Sequence, residues 1–394
     1  MSTVVVPSRE DLVRRVAEIA PVLRANAEWS VENRRLHEES VKALTDAGVF
    51  RMRVPRRYGG YESDALSMVE VGDQIAQADG SAAWVVACSW ISTWALGMFP
   101  DSVQDEVFAD PDVQVCTTIG AGAVTAVPVD GGILVNGTWP AISGALSARY
   151  QQIGAIFLDP NGQPYPVMAP VEVSQLEISD DWHTTGFRGT GSVGTTAKDL
   201  FVPQERVRPA PAILLGQSAS QLNAGSAMYR APFVTQGAAA TVGIGLGMAK
   251  AIRDAFLERL PGRKHTYTEY PSLADSAVTH LRISEAMMKI DEAEFHARRI
   301  GLEIDAKNAA GAEWTMLERA RARADEGAAV RLAQEAAAIF AGTSGGSSAY
   351  TKVPIQRINN DLQTYSLHAL MTPDYNYEIY GRLLSGLEPN TYYL

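Results

Sequence analysis

Over roughly the first hundred residues, apolar side chains recur every third or fourth position, the period of helices that bury one face. Leu12, Val16, Ile19 and Leu23 follow Ser8 and Asp11, an acidic variant of the capping box, so a first helix is predicted to start there. A second runs from His37 to Ala47 and stops at Gly48; a third covers about Ser63 to Ala78, after a polar turn from Arg56 to Gly60. Gly80 to Phe99, GSAAWVVACSWISTWALGMF, is almost wholly apolar and carries three tryptophans. Its length raises a membrane span, but Ser89, Ser92 and Thr93 interrupt it. A buried helix lining a cavity is expected instead, with Trp84, Ser92 and Trp94 facing a flat aromatic guest; plain core packing is the alternative.

Near Pro111 the pattern changes to alternation. VQVCTTIG, GAVTAVPVDGGILVNGTWPAISG and YQQIGAIFL read as strands, with Asp130-Gly131-Gly132 as a hairpin turn, and strand character runs on through Lys198 to Pro203. Helices return from Ser226: Val234 to Leu260, Ser272 to Ala309, Glu313 to Gly342, and a terminal segment. In that segment Ile358, Leu362, Tyr365 and Ala369 recur at helical spacing, which predicts an amphipathic helix with His368 beside its buried face and a break at Pro373. The order helices, strands, helices argues for an α+β fold, mainly α, with a small sheet domain between helical layers. The expected boundaries are 1–111 for an N-terminal helical domain, 112–208 for a middle β-domain and 209–394 for a C-terminal helical bundle.

Composition narrows the function. With 46% hydrophobic and 20% charged residues the chain has the balance of a soluble globular protein. A formal charge of -11 argues against nucleic acid as a partner, which needs a concentrated basic surface. Cys88 and Cys116 are too few for a disulfide framework, and the six histidines never pair at ligand spacing, so no metal site is expected. No secretory signal or membrane span is read from the chain, and a reducing cytoplasm is the expected compartment.

Several stretches can carry chemistry. His368 titrates close to working pH, which suits proton transfer, although a core histidine bonded to a carbonyl is the plain alternative. Gly243, Gly245 and Gly247 lack the spacing and the preceding strand of a dinucleotide fingerprint, so close helix packing is expected of them. Thr117, Thr118, Ile119 and Gly120, and later Trp139 to Gly144, bring backbone donors and the Ser143 hydroxyl to strand ends, where they suit a planar heteroaromatic ring. Arg263 is a natural phosphate partner, and the glycine-rich stretch Ala341 to Ser348 offers backbone N–H groups to a phosphate or a flavin edge.

Taken together, NGTW…SG, GFRGTGS…KDLFVP and PIQR…D…H…PD resemble, in order and across essentially the whole chain, the acyl-CoA dehydrogenase fold. That resemblance implies a β-barrel-like middle domain between helical ones. The last three motifs resemble more narrowly the oxygenase components of two-component, reduced-flavin-dependent aromatic monooxygenases, such as the steroid-catabolic phenol hydroxylase of actinobacteria. Many dehydrogenases of the fold place a glutamate base after the Arg-Asp segment. Here that place reads Ser366-Leu367-His368-Ala369, with no carboxylate. The fold points to a dehydrogenase and the site to an oxygenase.

The resemblance implies a flavin, reduced FMN or FAD, delivered by a separate NAD(P)H:flavin reductase and reacting with O2 to hydroxylate an aromatic or polycyclic phenol. It implies flavin contacts from Trp84, Thr118, Ile119, Gly120, Ala141, Ile142, Ser143, Gly346, Ser347, His368 and Ala369, with Arg263 on the phosphate. Ser143 would sit close to the reactive ring, and His368 would either deprotonate the phenol or hydrogen-bond the flavin hydroperoxide. Relatives often carry a histidine where this chain has Ser92, so the substrate side can differ. A homotetramer is implied, with the apolar Val234 to Leu260 helix suited to its interface. N-oxygenation of an amine or amino sugar, dehydrogenation of an acyl thioester, and a silent flavin-binding protein are the rival readings.

Overall fold

The computed structural model describes residues 5–118, 120, 123–159 and 161–394. The chain opens with α1 (Arg9–Asn33), capped by Ser8 and Asp11 in a reciprocal capping box, and α2 (Glu38–Asp46), which ends before the left-handed Gly48. There follow α3 (Ala65–Ala76), α4 (Gly80–Leu96) and α5 (Asp101–Val107). The apolar run is thus a buried helix: α4 packs against α3 and among the later helices, and also against the first strand of the sheet. No described helix is long and apolar enough to cross a membrane.

The sheet comprises β1 (Val115–Thr117), β2 (Thr125–Val129), β3 (Gly132–Ile142), β4 (Tyr150–Leu158), β5 (Pro164–Glu172), β6 (Glu177–Ile178), β7 (Val193–Pro203) and β8 (Arg208–Pro209). Its order is β6-β7-β3-β2-β4-β5-β8, with β1 paired to β4. The predicted hairpin is present: β2 and β3 pair from Val129 opposite Gly132, and Gly131 has φ 76 in the turn. Both β1 and β2 pair in parallel with β4, while β5 pairs antiparallel along all of β4. Thr118 and Gly120 lie between β1 and β2 in sequence and belong to neither strand. Strand β5 carries Pro164, Pro166 and Pro170. All three are an even number of residues apart, so their missing N–H groups face one edge, and β4 retains its bonds on the other.

The C-terminal half holds α6 (Ala210–Leu214), α7 (Phe233–Arg259), α8 (Ala277–Ala310), α9 (Met316–Thr343), α10 (Pro354–Ser366) and α11 (Pro373–Leu384). One core unites α1, α3, α4, α7, α8, α9 and α10, a second fills the sheet, and a third seals the junction with Trp94, Phe99, Phe108, Tyr150 and Phe233. The glycines of α7 act as close-packing residues. A Cβ on Gly243 would lie 2.2 Å from the Val69 carbonyl oxygen, and one on Gly247 2.3 Å from that of Asp73. Backbone contact between α3 and α7 leaves no room for a methyl group.

Two expectations change. Helix α10 stops at Ser366, so Ala369 is exposed and lies off the buried face that Ile358, Leu362 and Tyr365 form. Helix α7, expected at a subunit interface, is buried within its own chain for most of its length. For the α3–α7 contact, Gly243→Ala is expected to destabilise the fold by about 1–3 kcal/mol, the usual cost of overpacking. Chemical denaturation would measure it; an unchanged midpoint would mean the helices part freely.

Candidate active site

Loops and the helices α4, α7, α9 and α10 close around a cavity of about 530 Å³. Its wall includes Trp84 from α4, Ser143 beyond the end of β3, Phe187 and Ser192 before β7, Thr241 from α7, Glu326 from α9, and Tyr365 and His368. Asp79 caps α4 by accepting from the Ser81 and Ala82 N–H groups at 2.9 and 3.4 Å, which sets the helix start about one turn before Trp84. At the end of β3 the pairing with β7 slips between Trp139 and Ile142, and Ala141 takes φ 58. A left-handed non-glycine residue is uncommon, and here the turn delivers the Ser143 hydroxyl to the cavity. There it accepts from the Trp84 indole N–H at 2.9 Å.

The buried acid of the Arg-Asp segment has a structural task. Asp361 accepts the Phe187 N–H at 2.6 Å and so holds Phe187 at φ 54, with its ring stacked on Trp84 at 5.7 Å. Arg357 stands 3.8 Å from the carboxylate. Burial pushes the Asp361 carboxyl up to about 7.

His368 follows α10 in the turn toward α11, its ring 5.3 Å from that of Trp84. Its carbonyl accepts from Met371 and Thr372 N–H, and its Nδ1 accepts from Leu370 N–H at 3.3 Å. With Nδ1 engaged, the neutral ring carries its proton on Nε2 and is a donor there. The ring is accessible because it opens onto the cavity, yet the surrounding wall crowds it. Burial first, and then the Arg323 charge, hold its pKa below the ordinary value, so it is neutral at pH 7.

Of the residues singled out in sequence, Trp84, Thr118, Gly120, Ala141, Ser143, His368 and Ala369 line this cavity. Arg263, Gly346 and Ser347 lie instead in a second, more open cleft of about 1140 Å³. There the Arg259 and Arg263 guanidiniums both donate to the Ser347 hydroxyl, at 3.0 and 3.1 Å. Among the described residues neither has a carboxylate within salt-bridge distance, so the pair is suited to an anion. Ile142 points into the core of the sheet. Ile119 lies outside the described residues. Ser92 and Trp94 line no part of the His368 cavity: the Ser92 hydroxyl bonds the Cys88 carbonyl one turn back, and Trp94 packs on Tyr229 and Phe233. At about 100° per residue these two positions fall some 80° to either side of Trp84, so one face cannot hold all three.

The N- and C-terminal acyl-CoA dehydrogenase domain models match residues 9–108 and 239–373. The oxygenase subunit HsaA of a flavin-dependent monooxygenase from Mycobacterium tuberculosis is 31% identical over 96% of each chain. The chain belongs to the acyl-CoA dehydrogenase-fold family of flavin-dependent monooxygenases. Within this family it is 28% identical to the oxygenase component of an FADH2-dependent resorcinol hydroxylase from a Rhizobium species, over 97% of this chain and 96% of that one. The structure of XiaF from a Streptomyces species, in complex with FADH2 and glycerol, superposes with a TM-score of 0.93 at 29% identity, covering 97% of both chains.

In this monooxygenase fold the cavity holds a group that sequence reading missed. Glu326 is buried, accepts from the Thr241 hydroxyl at 2.8 Å, and has no protein donor on its other oxygen among the described residues. The signal was present: Ala322, Glu326, Ala329 and Ala333 fall on one helical face, and an acid on an apolar stripe is costly unless used. Burial raises its pKa from 4.5 to about 7. The folded chain thus keeps a proton that the unfolded chain releases between roughly pH 4.5 and 7, and stability from this group is lost as pH rises through that window. Glu326→Gln is expected to match the wild-type melting temperature near pH 5 and to exceed it at pH 8. An equal margin at both pH values would show that the carboxyl does not titrate there.

Proposed function

We propose that this protein is the oxygenase component of a two-component flavin-dependent monooxygenase that hydroxylates a phenolic ring. The observation that carries the reading is His368: a neutral imidazole N–H donor occupies the cavity turn after Asp361, in a chain that matches oxygenase subunits along nearly its whole length. The flavin, when bound, supplies the two electrons with which O2 is split between the hydroxylated product and water. Reduced FAD is the proposed form, on the likeness to XiaF and to the FADH2-dependent hydroxylase. A separate NAD(P)H-dependent reductase supplies it, in keeping with the two relatives termed oxygenase subunit and oxygenase component. The cytoplasm, where NAD(P)H is at hand, is the proposed compartment.

The residues present fit such a ring. The cavity is within the size range of ligand sites, aromatic on the side of Trp84, Phe187 and Tyr365 and polar at Ser143 and Thr118. Trp84 and Phe187 would cover one side of a bound ring and keep solvent from it. His368 would donate from Nε2 to an oxygen atom of a bound group and is not free to act as base while Leu370 occupies Nδ1. Arg259, Arg263 and Ser347 would hold the phosphates. Because their cleft is distinct from the His368 cavity, one cofactor meets both sets across two subunits of the proposed homotetramer. Support for association lies on α8, where Leu281, Met288, Phe295 and Leu302 are exposed at seven-residue spacing. A stripe of that period is suited to another helix.

A dehydrogenase reading needs a carboxylate base, and Glu326 is a buried acid in the cavity wall. It predicts that an acyl-CoA bleaches the oxidised flavin without air; the oxygenase reading predicts no bleaching. For the oxygenase, His368→Ala should lower hydroxylation on the order of 10²-fold, the usual loss on removing one transition-state donor, with little change in reduced-FAD affinity. His368→Gln, which keeps an N–H near Nε2 but is no base, should recover most of that loss. Product per O2 consumed, assayed with the reductase and a panel of phenols, would check both variants. Equal inactivity of the two would assign His368 a basic role, and equal losses of affinity and product would make it structural. Wild-type consumption of O2 with no product from any phenol would favour a silent binder.

A further inference from the structure

Ser143 ends a row of three buried hydroxyls. The Ser143 and Ser192 oxygens are 2.7 Å apart, those of Ser192 and Thr190 2.6 Å, and Thr190 Oγ1 donates to the Phe187 carbonyl at 2.7 Å. The two ends of the row are chemically fixed. The Trp84 indole N–H can only donate, and the Phe187 carbonyl can only accept. Each hydroxyl has one proton. With the Thr190 proton on Phe187, the Ser192 proton must go to Thr190, and the Ser143 proton to Ser192. Ser143 is then left with a lone pair, and no proton, for the cavity it lines.

The surroundings support that direction. Reversing the row would forfeit the Thr190 bond to Phe187, whose φ of 54 is held by Asp361 on its N–H side and by the Thr190 hydroxyl, Thr190 N–H and Trp182 indole on its carbonyl side. The Cys88 thiol, next to Ser143, is pushed up by burial to about 12 and is no anion to draw the proton back.

We propose that Ser192 and Thr190 are positioning residues that set Ser143 as a hydrogen-bond acceptor, so that the cavity prefers the reduced flavin ring to the oxidised one. The inference rests on the flavin reading above. The reduced ring carries hydrogen on N5, where the oxidised ring has a bare lone pair. With N5 placed against Ser143, an acceptor there would bond the first and leave two lone pairs facing each other with the second. A buried polar group without its partner weakens binding on the order of tenfold or more. The protein would thereby take up flavin after the reductase has acted, and release it once oxidised.

The test is the ratio of dissociation constants for oxidised and reduced FAD, measured anaerobically, or equivalently the midpoint potential of bound FAD. Wild type should bind the reduced form more tightly. Thr190→Val leaves the Ser192 proton free to turn to Ser143, which becomes a donor. The ratio should fall on the order of tenfold, and the potential become more negative by about 30 mV, the tenfold equivalent for two electrons. Ser192→Ala should act in the same direction, and Thr190→Ser, which keeps the hydroxyl, should behave as wild type. Melting curves confirm folding, and the Thr190 pair decides alone if Ser192→Ala does not fold. Equal ratios in Thr190→Val and wild type overturn the proposal, as does a wild type without preference. Binding of neither form removes the flavin reading itself, and this inference with it.

Discussion

Three indole N–H groups on one apolar helix organise the molecule. An N–H buried in hydrocarbon must find an acceptor, and α4 offers three of them in different directions. Trp90 donates to the Val49 carbonyl in the N-terminal helices, Trp84 to Ser143 at the end of the sheet, and Trp94 to the Met228 carbonyl at the entry to the C-terminal bundle. Each bond ties α4 to a different part of the fold. The helix is buried for almost its whole length; its Ser92 and Thr93 hydroxyls turn back to carbonyls of α4 itself, and the tryptophan nitrogens are the donors that reach other elements. The cavity sits where one of these ties, Trp84 to Ser143, also meets the C-terminal turn.

That position explains how the fold family accommodates different chemistries. The scaffold supplies a pocket with an aromatic side, bounded by three units, and fold alone does not fix which polar groups reach it. In this chain they include a neutral histidine, a serine bonded to Trp84 and Ser192, and a carboxyl held near neutrality by burial. None of the three is on a regular element running straight into the pocket, apart from Glu326. His368 is turned in by a tight loop, and Ser143 by a strained residue at a slipped register. Asp361 shows the cost of such loops: a fully buried acid is retained to hold one backbone N–H of Phe187.

By itself the sequence determined what depends on neighbours along the chain. The capping box at Ser8, the stop at Gly48, the Asp130-Gly131 turn and the helix–strand–helix order follow from local periodicity and backbone preference, and the structure has them. The close packing at Gly243 and Gly247 was also legible, because glycines one turn apart in an apolar helix have few other uses. Motifs marked Trp84, Ser143 and His368 as candidates, and the structure brings these three to one cavity. Helical angle alone should have separated Ser92 from Trp94.

Only the tertiary structure decided which polar atoms meet. Thr241 and Glu326 are 85 residues apart, Phe187 and Asp361 174, and Trp84 and Ser143 59, so no periodicity links them. The end of α10 before His368, and with it the tautomer of that ring, is set by the turn bonds around the His368 carbonyl rather than by the pattern of apolar residues. The direction of the Ser143 proton depends on a carbonyl three hydrogen bonds down a row of side chains from two separate loops. A sequence records which groups can donate or accept; which of them do so follows from distances that exist only after the chain has folded.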